Sequence, residues 1–200
     1  MEKPVKSKYP LAEDIKNRWS PRALSSEPVP SEKLLSVLEA GRWAPSCFND
    51  QPWFYLIAEK DRPEEFDRML SCLVEKNQRW ARNAWALVIG VVRVNFSTRE
   101  KENRHAFHDL GMSIMNMMTQ AVHEGLYIHA MAGFSSESSR RLFSIPDGYE
   151  PVTALAIGYP GNPEDLPEEF REAEYEERER KPLQSFVFED SWEKKWGKIK

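Results

Sequence analysis

The segment with the sequence PSCFNDQPW, residues 45–53, constrains the fold of this 200-residue chain more than any other. It joins a predicted helix, residues 31–42, to a predicted strand, residues 53–59. Pro45 and Pro52 each fix one backbone φ angle, and the polar residues between them supply donors and acceptors on that restricted backbone. The segment fits an ordinary helix-to-strand corner, and it equally fits a polar cradle for a flat ligand rich in heteroatoms.

Three further segments bear on this choice. Residues 18–22 read RWSPR and precede the loop; GL at residues 125–126 is followed by AMAGF at 130–134; and RERKPL occupies residues 178–183. Each motif alone has little specificity. Together, and in this order, the four segments resemble the signature of the FMN-dependent nitroreductase family, over about residues 17–187 of the chain.

The resemblance implies a fold and an assembly. The expected fold class is α+β, with a central, mostly antiparallel sheet flanked by helices. The expected assembly is an intertwined homodimer with FMN at the subunit interface and an exchanged C-terminal arm. The corresponding parts are an N-terminal extension (1–16), an FMN-binding domain (17–163) and an arm that completes the dimer and the phosphate site (164–200).

The resemblance also assigns a phosphate site. Arg18 and Arg180 match the family's phosphate clamps, with Ser20 and Arg178 as helpers, and a guanidinium suits bidentate contact with a phosphate. Arg178 could instead form solvated ion pairs with the neighbouring glutamates. Trp19 lies inside the same motif and is included in the expected site.

The ring of the flavin is assigned to other positions. Arg22 and Asn77 match residues at its pyrimidine edge, where a cation stabilises the reduced, anionic flavin. Asn77 could instead be an ordinary helix-end residue, and Trp80 stands where some members carry a second cation. The backbone of Ala132 and Gly133 matches the position facing flavin N5, although those two residues also fit a plain strand-to-helix turn. The remaining expected contacts are Met131, Cys47 and Asn49 and, from the other subunit, Pro45 and Ser46.

Hydrophobic periodicity predicts alternating helices and strands. Helices are expected at residues 31–42, from Asp61 to Val74, at 107–122 and at 137–143; strands are expected at 53–59, 84–94, 126–131 and 152–157. Residues 186–188 could form a last strand far from the sheet. The 107–122 helix carries more methionine than one core face uses, so it is either fully buried or packed on a partner subunit.

Composition limits the function classes. A net charge of −4 argues against a nucleic-acid or anionic-membrane surface, and no apolar run is long enough to span a bilayer. Two cysteines cannot form a disulfide framework, and no secretory signal is visible, so we expect a cytoplasmic protein. His105 and His108 lack a third ligand at a supporting spacing, so no metal site is expected. Asp109 and the glutamates near Glu172 are interpreted as solvated helix surface.

The expected activity is oxidoreduction. NADH or NADPH would reduce FMN, and a small electron-poor acceptor (a nitroaromatic, a quinone or an enone) would then be reduced in the same pocket. Two alternatives stay open: a protein that binds or senses flavin without turnover, and a divergent dehydrogenase or oxidase on the same fold.

Overall fold

In the computed structural model, which describes residue 3 and residues 5–199, one antiparallel sheet organises the chain. The strands are β1 (Trp53–Glu59), β2 (Ala86–Arg93), β3 (Tyr127–Met131) and β4 (Tyr149–Gly158), in the spatial order β1-β2-β4-β3. All three pairings are antiparallel. The expected α+β class and mostly antiparallel sheet are therefore confirmed.

Helices cover both faces of the sheet. The α-helices are α1 (Glu13–Asn17), α2 (Ser31–Arg42), α3 (Pro63–Leu70), α4 (Glu75–Ala81), α5 (Ala106–His123), α6 (Ser136–Leu142) and α7 (Glu168–Tyr175). Strand β2 has almost no polar side chain because both of its faces are buried. Ala86 and Val88 pack with α2 and α5 on one face, whereas Leu87 and Ile89 pack with α3, α4 and α7 on the other.

One predicted helix is two helices. The apolar pattern through Val74 predicts a continuous helix, but α3 ends at Leu70 and α4 begins at Glu75. Between them, Leu73 pairs with Phe134, and the N–H of Ser135 donates to the carbonyl of Cys72. This tertiary pairing takes up backbone groups that a longer helix would have bonded internally.

Helix α5 is the longest, and it is not buried on all sides. Met117 is fully buried, whereas Phe107 and Met115 are exposed in the single chain. The alternative of a fully buried central helix is therefore wrong for the subunit alone. Gly125 ends the helix with φ +76°, as the sequence predicts, since that conformation favours glycine.

The C-terminal segment differs from its predicted form. Residues 183–185 form a short 3-10 turn, and Phe188 makes a single β-bridge to Lys195 rather than part of a strand. Within the single chain the expected strand at 186–188 is absent from the described residues. A strand completed by a partner subunit stays a prediction. Among the described residues, no helix is long and apolar enough to cross a membrane.

Candidate active site

Three arginines converge on one small polar cavity. Arg18, Arg178 and Arg180, hereafter the arginine cluster, line a cavity of about 190 Å³. The rest of its lining is Lys3, Trp19, Ser20, Arg22, Ala173, Glu174, Glu176 and Glu177. The cavity brings residues 18–22 together with residues more than 150 positions later in the chain. The predicted phosphate residues are thus assembled in one place.

The charges of the arginine cluster oppose one another. The pKa of Arg18 is lowered, first by burial and then by the positive charge of Arg180. Burial, Arg18 and Arg180 likewise lower the pKa of Arg178. No carboxylate lies within salt-bridge distance of these three guanidiniums in the part of the chain that the structure describes. Such a donor set favours an anion, since a bound negative charge relieves the repulsion.

The three arginines are not equivalent. One guanidinium nitrogen of Arg178 donates to the carbonyls of Lys3 (2.8 Å) and Lys16 (2.9 Å), so this side chain ties down the N-terminal segment. Arg18 makes only a long contact, 3.5 Å, to the Ser20 hydroxyl. Arg18 and Arg180 therefore keep most of their donors for a ligand, whereas Arg178 also has a structural role.

A buried glutamate fixes the backbone beside Arg22. The carboxylate of Glu174, on α7, accepts hydrogen bonds from the N–H groups of Arg22 (3.1 Å) and Ala23 (3.0 Å). Glu174 is 1% exposed, so the interpretation of this acidic run as solvated surface is wrong at this position. The pattern of glutamates could not reveal this, because Glu174 is buried only when α7 folds back onto residues 22–23.

His129 holds the same segment from the sheet side. Its Nδ1 lies 3.0 Å from the Pro21 carbonyl, and its ring packs on Trp80 with centroids 4.6 Å apart. Burial lowers the pKa of His129 to about 4, against the hydrogen bond to Pro21 and with the help of the Arg22 charge. The imidazole is therefore neutral at pH 7 and donates from Nδ1 to that carbonyl. Trp80 is fully buried, so its side chain does not line an open pocket.

Two of the residues assigned to the flavin ring, Asn77 and Gly133, are in contact. The side-chain amide of Asn77 donates to the Gly133 carbonyl at 3.0 Å, and the N–H of Val74 donates to the same oxygen. A Cβ on Gly133 would lie 2.6 Å from Asn77 Nδ2, so glycine is needed here for the packing of α4 against the end of β3. Asn77 lies in the first turn of α4 and not at the end where this helix stops. Met131 is buried at the end of β3, whereas Ala132 is exposed.

The loop of residues 45–53 occupies another part of the subunit. Pro45 and Asn49 are exposed, and Ser46 and Cys47 are half-buried. The Ser46 hydroxyl accepts from the N–H of Gln51 at 3.0 Å, which closes the loop on itself. No hydrogen bond, ion pair or ring contact joins Pro45, Ser46, Cys47 or Asn49 to the arginine cluster or to Asn77 within the described chain.

Two buried carboxylates anchor this loop. Asp50 accepts from the N–H and hydroxyl of Ser97 and from Arg93, and its side chain is 3% exposed. Asp109 accepts from the N–H of Cys47 at 2.9 Å and is 1% exposed, so its assignment to solvated surface is wrong. Its position in the first turn of α5 gave no signal in the sequence, because acidic residues are common there.

His105 and His108 are the histidine pair that the sequence raised as a possible metal site. No group of three histidine, cysteine, aspartate or glutamate side chains that could hold a metal ion occurs among residue 3 and residues 5–199. The rings of His105 and His108 lie 6.5 Å apart, and His108 contacts Asp109.

Comparison with known proteins places this geometry in a family. The model of the nitroreductase family matches residues 15–159. A solved structure described as an oxidoreductase containing FMN superposes with a TM-score of 0.89 at 34% identity, over 95% of this chain and 96% of that one.

Two curated relatives agree with this match. An uncharacterised 15.4 kDa protein of Mycolicibacterium smegmatis is 31% identical over 66% of this chain and 88% of its own length. A protein of Methanothermobacter thermautotrophicus named "Putative NADH dehydrogenase/NAD(P)H nitroreductase" is 28% identical over 77% of this chain and 79% of its own. With its antiparallel sheet, its converging arginines and the match over residues 15–159, the chain belongs to the nitroreductase family of oxidoreductases.

Proposed function

We propose that the protein is an FMN-dependent NAD(P)H oxidoreductase that reduces electron-poor acceptors such as nitroaromatics, quinones or enones. The observation that carries the proposal is the arginine cluster, three cations that form no salt bridge within the described chain. His129 donates to the Pro21 carbonyl beside this cluster and packs on Trp80, which lies on the same helix, α4, as Asn77. Support also comes from the similar protein that contains FMN and from the relative named for NAD(P)H.

The residues present fit a flavin mononucleotide. Arg18 and Arg180 offer guanidinium donors suited to one terminal phosphate, and Ser20 adds a hydroxyl. When bound, FMN supplies the hydride-accepting and hydride-donating chemistry. Arg22 provides positive charge for the ring's pyrimidine edge. Its backbone is held by the carboxylate of Glu174, and the preceding Pro21 carbonyl is held by His129. Asn77 orients the Gly133 backbone, which is the proposed contact with the reactive edge.

The reaction is a two-electron exchange in which donor and acceptor use one pocket in turn. For a nitroarene the balance is NAD(P)H, one proton and the nitroarene giving NAD(P)⁺, the nitrosoarene and water. The residues near the proposed ring edge are amide, backbone and cationic groups, so the protein acts by positioning and electrostatics rather than through a dedicated acid or base.

The proposed site needs two subunits. The Pro45, Ser46, Cys47 and Asn49 part of the loop has no contact with the arginine cluster in one described chain, so we place it over the flavin of the partner. The described part of the arm supports this assembly, because none of residues 176–199 is buried and Trp192 is 83% exposed. We therefore propose a homodimer in which residues 164–200 wrap the other subunit, around a domain of residues 17–163 with an extension at 1–16.

Cofactor release tests the function. The purified protein should be yellow, release FMN rather than FAD when denatured, and lose its flavin absorbance at about 450 nm when NAD(P)H is added without oxygen. A quinone or nitroaromatic should restore that absorbance. Flavin that NAD(P)H does not reduce would indicate a binding protein instead, and stoichiometric FAD would contradict the phosphate site.

Changing the arm tests the assembly. Replacing both Phe186 and Phe188 with serine keeps Arg180 and removes two aromatics, each worth about 3–5 kcal/mol where it is packed. We expect a shift to monomer in sedimentation, with FMN lost in parallel and partly regained at high protein concentration. Phe54→Ser, at an exposed aromatic on β1 outside the arm and the proposed site, is the control. A monomer that keeps its FMN and full turnover would overturn the shared site.

A further inference from the structure

The tip of the 45–53 loop presents an aromatic side chain to solvent on a strained backbone. Phe48 is 81% exposed and has a φ of +54°. Asn49 and Gln51 are also in the left-handed region, at +55° and +49°. A bulky residue rarely adopts this conformation, and each such residue costs on the order of 1–3 kcal/mol. An outlier of this kind persists only when the surrounding structure enforces it.

The surrounding structure does enforce it. Asp109 holds the N–H of Cys47, immediately before Phe48, and Asp50 follows two residues later with its carboxylate engaged by Arg93 and Ser97. Both anchors are buried. Folding alone gives no reason to hold an exposed phenyl ring so firmly, so the position of Phe48 points to a binding role.

A cation lies beside the exposed ring. The guanidinium carbon of Arg99 is 4.8 Å from the Phe48 ring centroid and 4.1 Å from that of Phe96, and the two rings meet edge to face at 5.9 Å. The Phe96 segment is tied to the loop, since the next residue, Ser97, donates to Asp50. No carboxylate pairs with Arg99 in the described part of the chain. Its charge is therefore available to a ligand.

We propose that Phe48, Phe96 and Arg99 select the electron acceptor and favour planar aromatics that carry an anionic substituent, such as a carboxylate. The phenyl rings offer faces and edges for stacking, and the guanidinium pairs with the anion in a site from which the partner subunit excludes water. This inference rests on the proposed function, in which the loop covers the partner's flavin. It specifies the substrate class of that site.

The test compares 4-nitrobenzoate with its uncharged methyl ester. In Arg99→Gln, kcat/KM for 4-nitrobenzoate should fall about tenfold, the loss expected for one charge-assisted contact, while the value for the ester stays within about twofold. Arg104→Gln, an exposed arginine near the same segment, is the control and should change neither value. Calorimetric titration of the oxidised protein with 4-nitrobenzoate should show the same loss of affinity.

Two further measurements make the outcome decisive. Arg99→Lys should keep most of the preference for the anion, and added salt should weaken that preference in the unchanged protein. The decisive quantity is the ratio of kcat/KM for 4-nitrobenzoate to kcat/KM for its ester. The inference would be overturned if this ratio were the same with and without Arg99, or if salt did not alter it. Activity toward quinones would in that case leave the proposed function standing, whereas absence of NAD(P)H oxidation with every acceptor would refute the function itself.

Discussion

The arginine cluster and the 45–53 loop are the two proposed parts of the ligand site, and they differ in the kind of unfavourable energy that they contain. In the cluster, burial and neighbouring positive charge lower the pKa values of Arg18 and Arg178. The loop instead contains backbone strain, and its buried carboxylates have their partners within the chain. An anion should therefore stabilise the cluster, whereas the loop is already stabilised by the protein itself.

The largest expected effect is the loss of a loop anchor. Asp50→Ala removes the carboxylate that accepts from the N–H of Ser97 and pairs with the partly buried Arg93, which keeps only backbone carbonyls as acceptors. The free energy of unfolding should fall by about 3 kcal/mol. Asp147→Ala, at an exposed aspartate, should be nearly neutral. Urea unfolding of the two variants measures the difference, and equal midpoints would show that Asp50 does not anchor the loop.

Acid should affect the two regions in different pH ranges. His129 has a folded pKa of about 4, below its usual 6.5, so its contribution to stability is present above pH 6.5 and is lost as the pH falls toward 4. The loss amounts to at most about 3 kcal/mol. Burial raises the pKa of Asp50, but hydrogen bonds from Ser97 and Arg93 outweigh burial and lower it below 3.8. The loop anchor should therefore weaken only at lower pH.

Unfolding measured between pH 7 and pH 4 tests this order. His129→Gln, which can still donate to Pro21 but does not titrate, should flatten the dependence over that range. The unchanged protein, measured in the same buffers, is the control. A steep dependence that persists without His129 would assign the acid sensitivity to another group.

The smallest of these effects concerns the cluster and has opposite signs with and without flavin. Arg18→Ala should weaken FMN binding by about 1.5–3 kcal/mol, roughly ten- to a hundredfold. The same change should leave the flavin-free protein as stable as before or slightly more stable, because it removes a repulsive charge. Arg171→Ala, on α7 outside the cluster, should alter FMN affinity little. Equal flavin affinities for the two variants would remove Arg18 from the phosphate site.

Local patterns in the sequence predicted most of the fold. The helix at Ser31–Arg42 and the strand at Trp53–Glu59 are confirmed with their predicted bounds, because periodicity and proline punctuation act over a few residues. The prediction of one continuous helix through Val74 was wrong, because residues 72–73 pair with residues 134–135, about 60 positions later in the chain. Local propensity carries no information about such a partner.

The prediction of site residues was limited in the same way, because motifs are local and burial is not. Motif spacing identified Arg18 and Arg180, and the structure brings them together. The same spacing gave no role to Asp109, Glu174 or His129, whose functions depend on backbone groups they meet only after folding. A buried carboxylate and a solvated one have the same letter in the sequence, and only their surroundings distinguish them.

The sequence by itself determined the family, the order of the four strands and the residue types of the proposed site, since these follow from motifs and from short-range periodicity. Tertiary structure alone decided that the Arg22 backbone is held between Glu174 and His129, and that Asp50 and Asp109 keep Phe48 in a strained, exposed conformation. The physical reason is burial. A charge or a strained φ is tolerated only where many distant contacts enforce it, and those contacts exist only in the folded chain.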